Sequence, residues 1–240
     1  LIDSLPERRA GDVNTPPMLS APQKITGKIN TVDMLGQRWP AVTLDAYPLE
    51  QSWQFDLVSS AAKVNVDVPN DVMSSGLTIS ADYLHIKTQE ESSSEPIKDS
   101  IGLINSLPPM QISCKTCTFN DKPLGKISMS AFSKDGSLFI EKANMEYDRN
   151  VVTLNGIWRG DKGAGTTQIT GDIKSRYFGP WMLDWSLDTG IKQSDLSSKL
   201  SLSWDGAPHD FGFATLNGEM SFRLGEGYLS DVSDKGARLF

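Results

Sequence analysis

Two cysteines and two histidines are the side chains of this sequence best suited to redox, metal-binding or nucleophilic chemistry. His85 and His209 lie about half a chain apart in unrelated contexts, which predicts surface histidines rather than ligands or bases. A zinc site needs three or four converging ligands, and the sequence has a single cysteine pair, Cys114 and Cys117. The sequence also lacks the Gly-x-Ser-x-Gly elbow of serine hydrolases. These residues do not indicate an enzyme, and we expect no cofactor and no metal site.

The cysteine pair lies within a segment of strand-like sequence, between Gln111-Ile112-Ser113 and Thr118-Phe119. A redox-active Cys-x-x-Cys instead begins a helix, where the helix dipole lowers the thiol pKa. In an ideal strand, Cα atoms three residues apart are about 10 Å apart, which exceeds the roughly 7 Å that a disulfide can bridge. A disulfide between Cys114 and Cys117 therefore requires a turn or bulge at Lys115-Thr116. The alternative is two buried thiols, and an oxidising compartment favours the disulfide.

The overall composition restricts the classes of partner. The chain has 30 acidic and 23 basic residues in 240, for a net charge of −7. We expect no nucleic-acid partner, because such proteins show a basic stripe and none is visible along the sequence. Apolar runs are only a few residues long, whereas a membrane-spanning helix needs about 20. Since the chain begins at Leu1 and stops at Phe240, we expect a piece of a longer protein with any membrane anchor outside it.

Alternation of apolar and polar residues dominates the chain and predicts β-strands. It is clearest at residues 52–57, 63–68 and 219–224, where every second side chain is aliphatic or aromatic. This period of two is typical of half-buried antiparallel strands, because successive side chains point to opposite faces. Between Leu77 and Lys87 the phase slips, which predicts a β-bulge near Asp82 or Tyr83. We therefore predict an all-β meander of a dozen or more strands.

Few segments depart from this pattern. Residues 1–24 are proline-rich and predict an extended leading segment, and residues 25–240 are predicted to form a single β domain. A loop and a short helix are expected at about residues 89–109, because apolar residues in 97–107 recur at helical spacing. Residues 178–187 fit a helix and a strand equally well.

A short glycine-containing phrase recurs four times, at residues 25–29, 154–158, 169–173 and 216–220. Its form is an apolar residue, then Thr or Asn, then Gly, any residue, and another apolar residue. Glycine inside a strand marks a bulge, a bend or a close approach of another chain segment. The repetition favours a curved sheet built from similar units, and a concave apolar face could hold an apolar ligand.

Residues in phase on the cleanest strands are the candidates for that concave face. They are Trp53, Phe55, Leu57, Val64, Val66, Ile127, Met129, Leu138, Ile140, Leu200, Leu202, Met220, Phe222 and Leu224. Their neighbours are expected to face solvent; these are Gln54, Asn65, Ser128, Ser201 and Ser221.

An ordered set of short motifs resembles the AsmA-like family over residues 25–240. The C-terminal part of the set is Trp204-Asp205-Gly206-Ala207-Pro208, Phe211, Leu216-Asn217-Gly218, Gly225-Glu226-Gly227 and Ala237-Arg238-Leu239. The upstream part is Ile25-Thr26-Gly27, Trp39-Pro40, Trp53, Tyr83-Leu84, Leu107-Pro108-Pro109 and the pair Cys114 and Cys117. No single motif is specific, and the resemblance depends on their order.

The resemblance implies a U-shaped β-sheet trough that carries phospholipid acyl chains in the Gram-negative envelope. It also implies a periplasmic location, with an inner-membrane anchor in a part of the protein outside this chain. The alternative is a structural or carbohydrate-binding β-sandwich, because alternation alone does not separate an open trough from two packed sheets. In that case the tryptophans would serve as stacking platforms for sugars.

Overall fold

The computed structural model describes residues 23–34, 37–87, 97–192, 194–212 and 214–229. The leading segment predicted for residues 1–24 lies almost wholly outside these ranges, as do residues 89–96 of the predicted loop. The division of the chain at residue 25 therefore remains a prediction.

Strands make up most of the described residues, and we number them in chain order. They are β1 Ile25–Met34, β2 Gln37–Pro48, β3 Ser52–Val58, β4 Ala62–Pro69, β5 Leu77–Ile86, β6 Met110–Phe119, β7 Lys122–Lys134, β8 Ser137–Tyr147, β9 Asn150–Arg159, β10 Thr166–Ser175, β11 Ile191–Lys192, β12 Leu196–Asp205, β13 Asn217–Leu224 and β14 Tyr228–Leu229. Twelve of them form one sheet in the order β1 to β10, then β12 and β13, while β11 and β14 pair separately. Since β1 and β13 are not neighbours, the sheet is open.

Within the described ranges, three short helices and one 3-10 turn interrupt the strands. They are α1 Val72–Ser75, α2 Ser100–Asn105, α3 Phe178–Asp184 and the 3-10 turn Pro208–Asp210. Helix α2 confirms the helix predicted from apolar spacing, and it begins where Asp99 Oδ1 accepts a hydrogen bond from the Gly102 amide at 3.0 Å. Helix α3 settles the ambiguous segment in favour of a helix. The predicted fold, a curved and mostly antiparallel sheet that forms an open trough with few helices, is confirmed.

One pair of strands departs from the predicted antiparallel meander. Strands β5 and β6 run parallel, with Leu77 opposite Met110 and Ile86 opposite Phe119. Parallel neighbours need a crossover of a dozen or more residues, and the segment between Ile86 and Met110, which includes α2, supplies it. The crossover carries α2 back over the sheet rather than into a hairpin turn.

Bulges interrupt the ladder on both sides of this parallel pair. Lys63 pairs with Tyr83, and Val64 then pairs with Ala81, which leaves Asp82 as the extra residue. This confirms the bulge predicted from the phase slip. In β6, Cys114 pairs with Ile127 and Cys117 with Gly125. The chain therefore advances three residues along β6 but only two along β7 between these pairs. The irregularity brings the two Cα atoms to 6.1 Å, and the Sγ atoms of Cys114 and Cys117 are bonded.

The bulged Asp82 carboxylate joins three strands on the face of the sheet opposite the cysteines. It lies 2.8 Å from Lys63 Nζ of β4 and 2.7 Å from Lys115 Nζ of β6. The hydrogen bond from Lys115, and then that from Lys63, lower the pKa of Asp82 to about 2. A carboxyl pKa that is lower in the folded state stabilises the fold above its unfolded value of about 4. This contribution is lost as the pH falls towards about 2.

We therefore expect Asp82→Asn to lower the Tm above about pH 4. The difference from the unmodified chain should shrink as the pH falls through the acidic range, because both chains then carry a neutral side chain. The measurement is a series of thermal melts by circular dichroism. Asp71→Asn is the control, since the Asp71 side chain makes no capping hydrogen bond to α1. A Tm difference that stays constant down to the lowest pH would contradict the ion-pair explanation.

A small core lies at one end of the strands, beneath α2. Ile104 of α2 is fully buried against Ala131, Leu138, Trp158 and Ala207. Because the Trp158 ring is 3% exposed, its indole needs a hydrogen-bond acceptor, and Nε1 donates to the Ala164 carbonyl at 2.8 Å. Among the described strands no second large sheet exists to cover the remaining apolar face. The packed sandwich considered from the sequence is therefore not the architecture of this part of the chain.

The four repeated glycines all lie on the same face of the sheet as this core. Gly171 stands opposite Leu154 and Leu200, and Gly156 opposite Ile140 and Ile169. A Cβ at Gly171 would overlap the Thr153 carbonyl and the Leu154 side chain. Glycine therefore relieves crowding on this face, and glycines at defined positions are one way in which curved sheets are built.

Candidate functional site

The candidate site is a set of parallel rows of side chains that cross the sheet at right angles to its strands. Residues directly opposite one another on paired strands share a face, so the registers can be followed from one edge of the sheet to the other. The first row is Gly27, Leu44, Leu57, Val64, Ala81, Cys114, Ile127, Met145, Val152, Ile173, Ser198 and Phe222. Ser198 is its one polar member. The Ser198 hydroxyl is satisfied within the sheet, because Oγ donates a hydrogen bond to the Ser221 carbonyl of β13 at 2.9 Å.

The second row contains no polar side chain on any of the twelve strands. It is Ile25, Ala46, Phe55, Val66, Ile79, Ile112, Met129, Ala143, Leu154, Gly171, Leu200 and Met220. A third, shorter row crosses β5 to β13 and is Leu77, Met110, Ala131, Ile140, Gly156, Ile169, Leu202 and Gly218. We call these three rows the apolar wall.

The registers place all fourteen predicted residues on the face of the apolar wall. Eleven belong to the rows themselves, and Trp53 lies on the same face opposite Val68. Leu138 lies opposite Trp158 within the core, and Leu224 lies opposite Leu196 near the other end of the strands. The polar neighbours predicted to face solvent fall on the opposite face. Assignment of any of these residues to a bound ligand remains a proposal.

Several wall residues were not predicted from the sequence, and a bulge accounts for one of them, Ala143. Ala143 faces the wall although it lies three positions after Ile140, which was predicted, because β8 is irregular between the two residues. Leu154 and Ile173 were missed as well. Each belongs to a copy of the repeated phrase whose glycine also faces the wall, so the repeat was the signal that could have identified them.

The apolar wall is only partly shielded from water. Most of its residues are half-buried, and Leu200 is one of the few that is buried. Towards the edge strand β13 the exposure rises, to 53% for Met220 and 68% for Phe222. The wall is therefore not a fully buried core along its length.

Helices lie at both ends of the strands on the wall side. Helix α2 is held over one end by hydrogen bonds between Ser100 and Asp161, with Ser100 Oγ 2.8 Å from the Asp161 amide. At the other end, Asp184 of α3 lies beside Tyr147, which is on the wall face in register with Met145. Desolvation of the Tyr147 hydroxyl and the nearby Asp184 carboxylate raise the pKa of Tyr147. The exposed part of the wall therefore lies between α2 and α3.

This arrangement suits the binding of hydrocarbon and offers no reactive group. Both histidines lie away from the wall: His85 Nδ1 is 2.9 Å from Thr118 Oγ1 on the opposite face, and His209 is next to Asp210 in an exposed turn. In the described ranges, His, Cys, Asp and Glu side chains nowhere gather into a group able to hold a metal. None of the described helices is long and apolar enough to cross a bilayer. What the wall can do is remove methylene groups from water, at about 0.8 kcal/mol each.

Comparison with known proteins gives two matches. A sequence profile for the family described as "YhdP protein" matches residues 2–240. The chain is also 21% identical, over 256 residues, to "Intermembrane phospholipid transporter YhdP" of Escherichia coli (strain K12). That alignment covers 95% of this chain and 20% of the relative, so the chain spans about a fifth of the length of the relative.

Proposed function

Because the chain belongs to the YhdP family, we propose that it forms a segment of a conduit for phospholipid acyl chains. The apolar wall would hold the tails while they pass between the two membranes of a Gram-negative envelope. The whole-length relative is described as an intermembrane phospholipid transporter. Assignment of that activity to this chain, which spans a fifth of that length, is part of the proposal.

The observation that carries the proposal is the unbroken second row. Strands in a sheet are about 4.8 Å apart, so the eleven intervals between twelve strands give a path of about 50 Å along the row. No polar side chain interrupts that path, and most of its residues are half-exposed rather than covered by protein. A buried core would not need an accessible row of this length.

The energetics of the wall suit movement as well as binding. Each methylene that leaves water contributes about 0.8 kcal/mol, and the wall offers similar apolar side chains on every strand. An acyl chain can therefore shift by one strand without losing a unique contact. Retention by apolar area alone allows sliding, whereas a deep specific pocket would trap the lipid.

The alternative of a carbohydrate-binding domain has less support. Sugar platforms need exposed indole faces, yet Trp158, Trp181 and Trp204 are all buried. The indole Nε1 of Trp204 donates to the Ala207 carbonyl at 3.0 Å, which is typical of a structural tryptophan. The alternative of a purely structural domain gives no role to an apolar row that crosses all twelve strands.

We further propose that the chain works in the periplasm and reaches membranes only through parts of the protein outside it. The disulfide between Cys114 and Cys117 is consistent with an oxidising compartment, because the reducing cytosol keeps most cysteine thiols reduced.

Site-specific photo-crosslinking tests the proposed conduit. A photoreactive amino acid at Met129 or Phe222, on the wall, is expected to crosslink to phospholipid in cells. The same amino acid at Ser128 or Ser221, one residue away on the opposite face, is the control and should crosslink to lipid far less. Crosslinks from Met129 and Phe222 to protein only, or equal lipid labelling on both faces, would contradict the conduit.

A further inference from the structure

A cluster of cations lines a cavity on the face of the sheet opposite the apolar wall. The cavity has a volume of about 510 Å³ and is lined by Arg149, Lys174, Arg176 and Arg223. Asp195 is the one acidic residue among its described lining residues. The chain as a whole carries a net charge of −7. Four cations around one cavity therefore contrast with the rest of the chain.

The strand registers assemble this cluster from distant parts of the chain. Lys174 of β10 pairs with Ser197 of β12, and Ser197 pairs with Arg223 of β13, so both cations lie in one row on the same face. Arg149 lies in the turn before β9, and the Arg176 amide donates to the Arg149 carbonyl at 3.4 Å. The cavity therefore lies at the end of four neighbouring strands, along one rim of the sheet.

Among the described residues, Asp195 is the one carboxylate that lines the cavity beside its four cations. Within the part of the chain that the structure describes, Lys174, Arg176 and Arg223 make no ion pair with a carboxylate. The Arg149 guanidinium is held by Tyr177, whose hydroxyl accepts a hydrogen bond from Nη1 at 2.9 Å and whose ring centre lies 5.0 Å from Cζ. Elsewhere on the same face, Lys63 and Lys115 are both paired with Asp82. Unpaired like charges repel one another, and an anionic ligand would offset that repulsion.

We propose that this cationic cavity binds the phosphate of a phospholipid headgroup. Guanidinium groups match the oxygen geometry of phosphate and form charge-assisted hydrogen bonds with it. A cavity of about 510 Å³ also accommodates a headgroup rather than a bare ion alone. This inference rests on the proposed function, because it assigns a binding site to the headgroup of the same phospholipid whose tails contact the apolar wall.

The position of the cavity at the rim suits a lipid whose tails lie on the wall. Leu224 and Arg223 are consecutive, and their side chains lie on opposite faces of β13. Leu196 and Leu224 form a cross-strand pair on the wall face at this end of the strands. Leu196 is 8% exposed whereas Leu224 is 38% exposed, so a lipid tail at this end would contact Leu224 and its phosphate would lie at the rim, near Arg223.

The test compares two double variants of the 240-residue chain that each remove two positive charges. Arg176→Gln/Arg223→Gln removes two of the four cations that line the cavity. Lys126→Gln/Lys199→Gln is the matched control, because both lysines lie on the same face of the sheet and neither lines the cavity. The replaced side chains are all exposed, so both variants should fold, and circular dichroism verifies this.

Binding is measured by sedimentation with vesicles of phosphatidylglycerol mixed with phosphatidylcholine. We expect the cavity variant to bind roughly tenfold more weakly than the unmodified chain and the control variant to lose much less. Equal loss in both variants would indicate non-specific electrostatic attraction between the protein and the vesicle surface and would overturn the proposal. Unchanged binding by the cavity variant would overturn it as well.

Inorganic phosphate and glycerol 3-phosphate test whether the cavity binds free phosphate compounds rather than the phosphate of a lipid headgroup. Binding of these soluble anions through Arg176 and Arg223, with no dependence of vesicle binding on the same residues, would overturn the headgroup assignment. Lipid crosslinking at Phe222 is measured in parallel in the chain that keeps both arginines and in the cavity variant. Retained crosslinking with unchanged vesicle binding overturns only the headgroup site. If vesicle binding depends on the cavity but the chain that keeps both arginines gives no lipid crosslink at Phe222, the result supports the site and contradicts the conduit instead.

Discussion

Replacement of Met129 by aspartate is expected to remove most co-purifying phospholipid while leaving the sheet folded. Met129 lies in the centre of the second row, between Ile112 and Ala143. An ionised carboxylate in contact with acyl chains costs about 3 kcal/mol, as judged from charged residues at a bilayer centre. The occupancy of bound lipid should therefore fall on the order of 100-fold. Native mass spectrometry of the purified chain measures that occupancy.

Ser128→Asp is the matched control for this experiment. It places the same charge one residue away, on the opposite face of β7, where Ser128 pairs with Ser113 and Asn144. Its lipid occupancy should equal that of the unmodified chain. Because Met129 is half-buried, the aspartate can reach water at the mouth of the trough and the Met129→Asp variant should keep its far-ultraviolet circular dichroism. Loss of that spectrum together with the lipid would instead indicate that the face is a dry core.

Replacement of Trp158 by alanine is expected to lower the free energy of unfolding by about 3–5 kcal/mol. The ring packs within the core beneath α2, and its removal leaves a cavity beside Ile104 and Leu138. The loss also leaves the Ala164 carbonyl without its indole donor. Urea unfolding followed by circular dichroism measures the change.

Trp53→Ala provides a comparison with the same side-chain deletion on the open wall. Trp53 is half-buried and lies opposite Val68, away from α2. Since less of its surface leaves water on folding, its replacement should cost less than half as much as that of Trp158. Equal losses for the two variants would mean that the wall is packed as tightly as the core, contrary to the open trough.

Strict alternation carried most of the fold prediction. It identified β3, β4 and β13, and it placed residues such as Phe55, Val66 and Phe222 on a common face. That inference needs only the pleat of a strand, in which side chains two residues apart point the same way. The bulge at Asp82 was also visible, because a single extra residue changes the phase of the apolar positions that follow it.

Features that depend on long-range arrangement were not accessible in this way. The parallel pairing of β5 with β6 depends on the path of the crossover rather than on the sequence of either strand. Helices α2 and α3 cover the wall at opposite ends of the strands, which no local pattern indicates. The cationic cavity was hidden for the same reason: Arg149 and Arg223 are 74 residues apart, and the strand registers alone bring them together. A search for a basic stripe along the chain therefore finds nothing.

The order of the strands has a consequence for how such a protein folds and changes in size. Each strand of the large sheet pairs only with its neighbours, and these are consecutive in the sheet except where β12 follows β10. Contacts are therefore local in sequence, which lowers the contact order and speeds folding relative to most all-β proteins. Stability then approximates a sum over adjacent strands, as in repeat proteins. Insertion or loss of a hairpin would alter the length of the trough without requiring a new core.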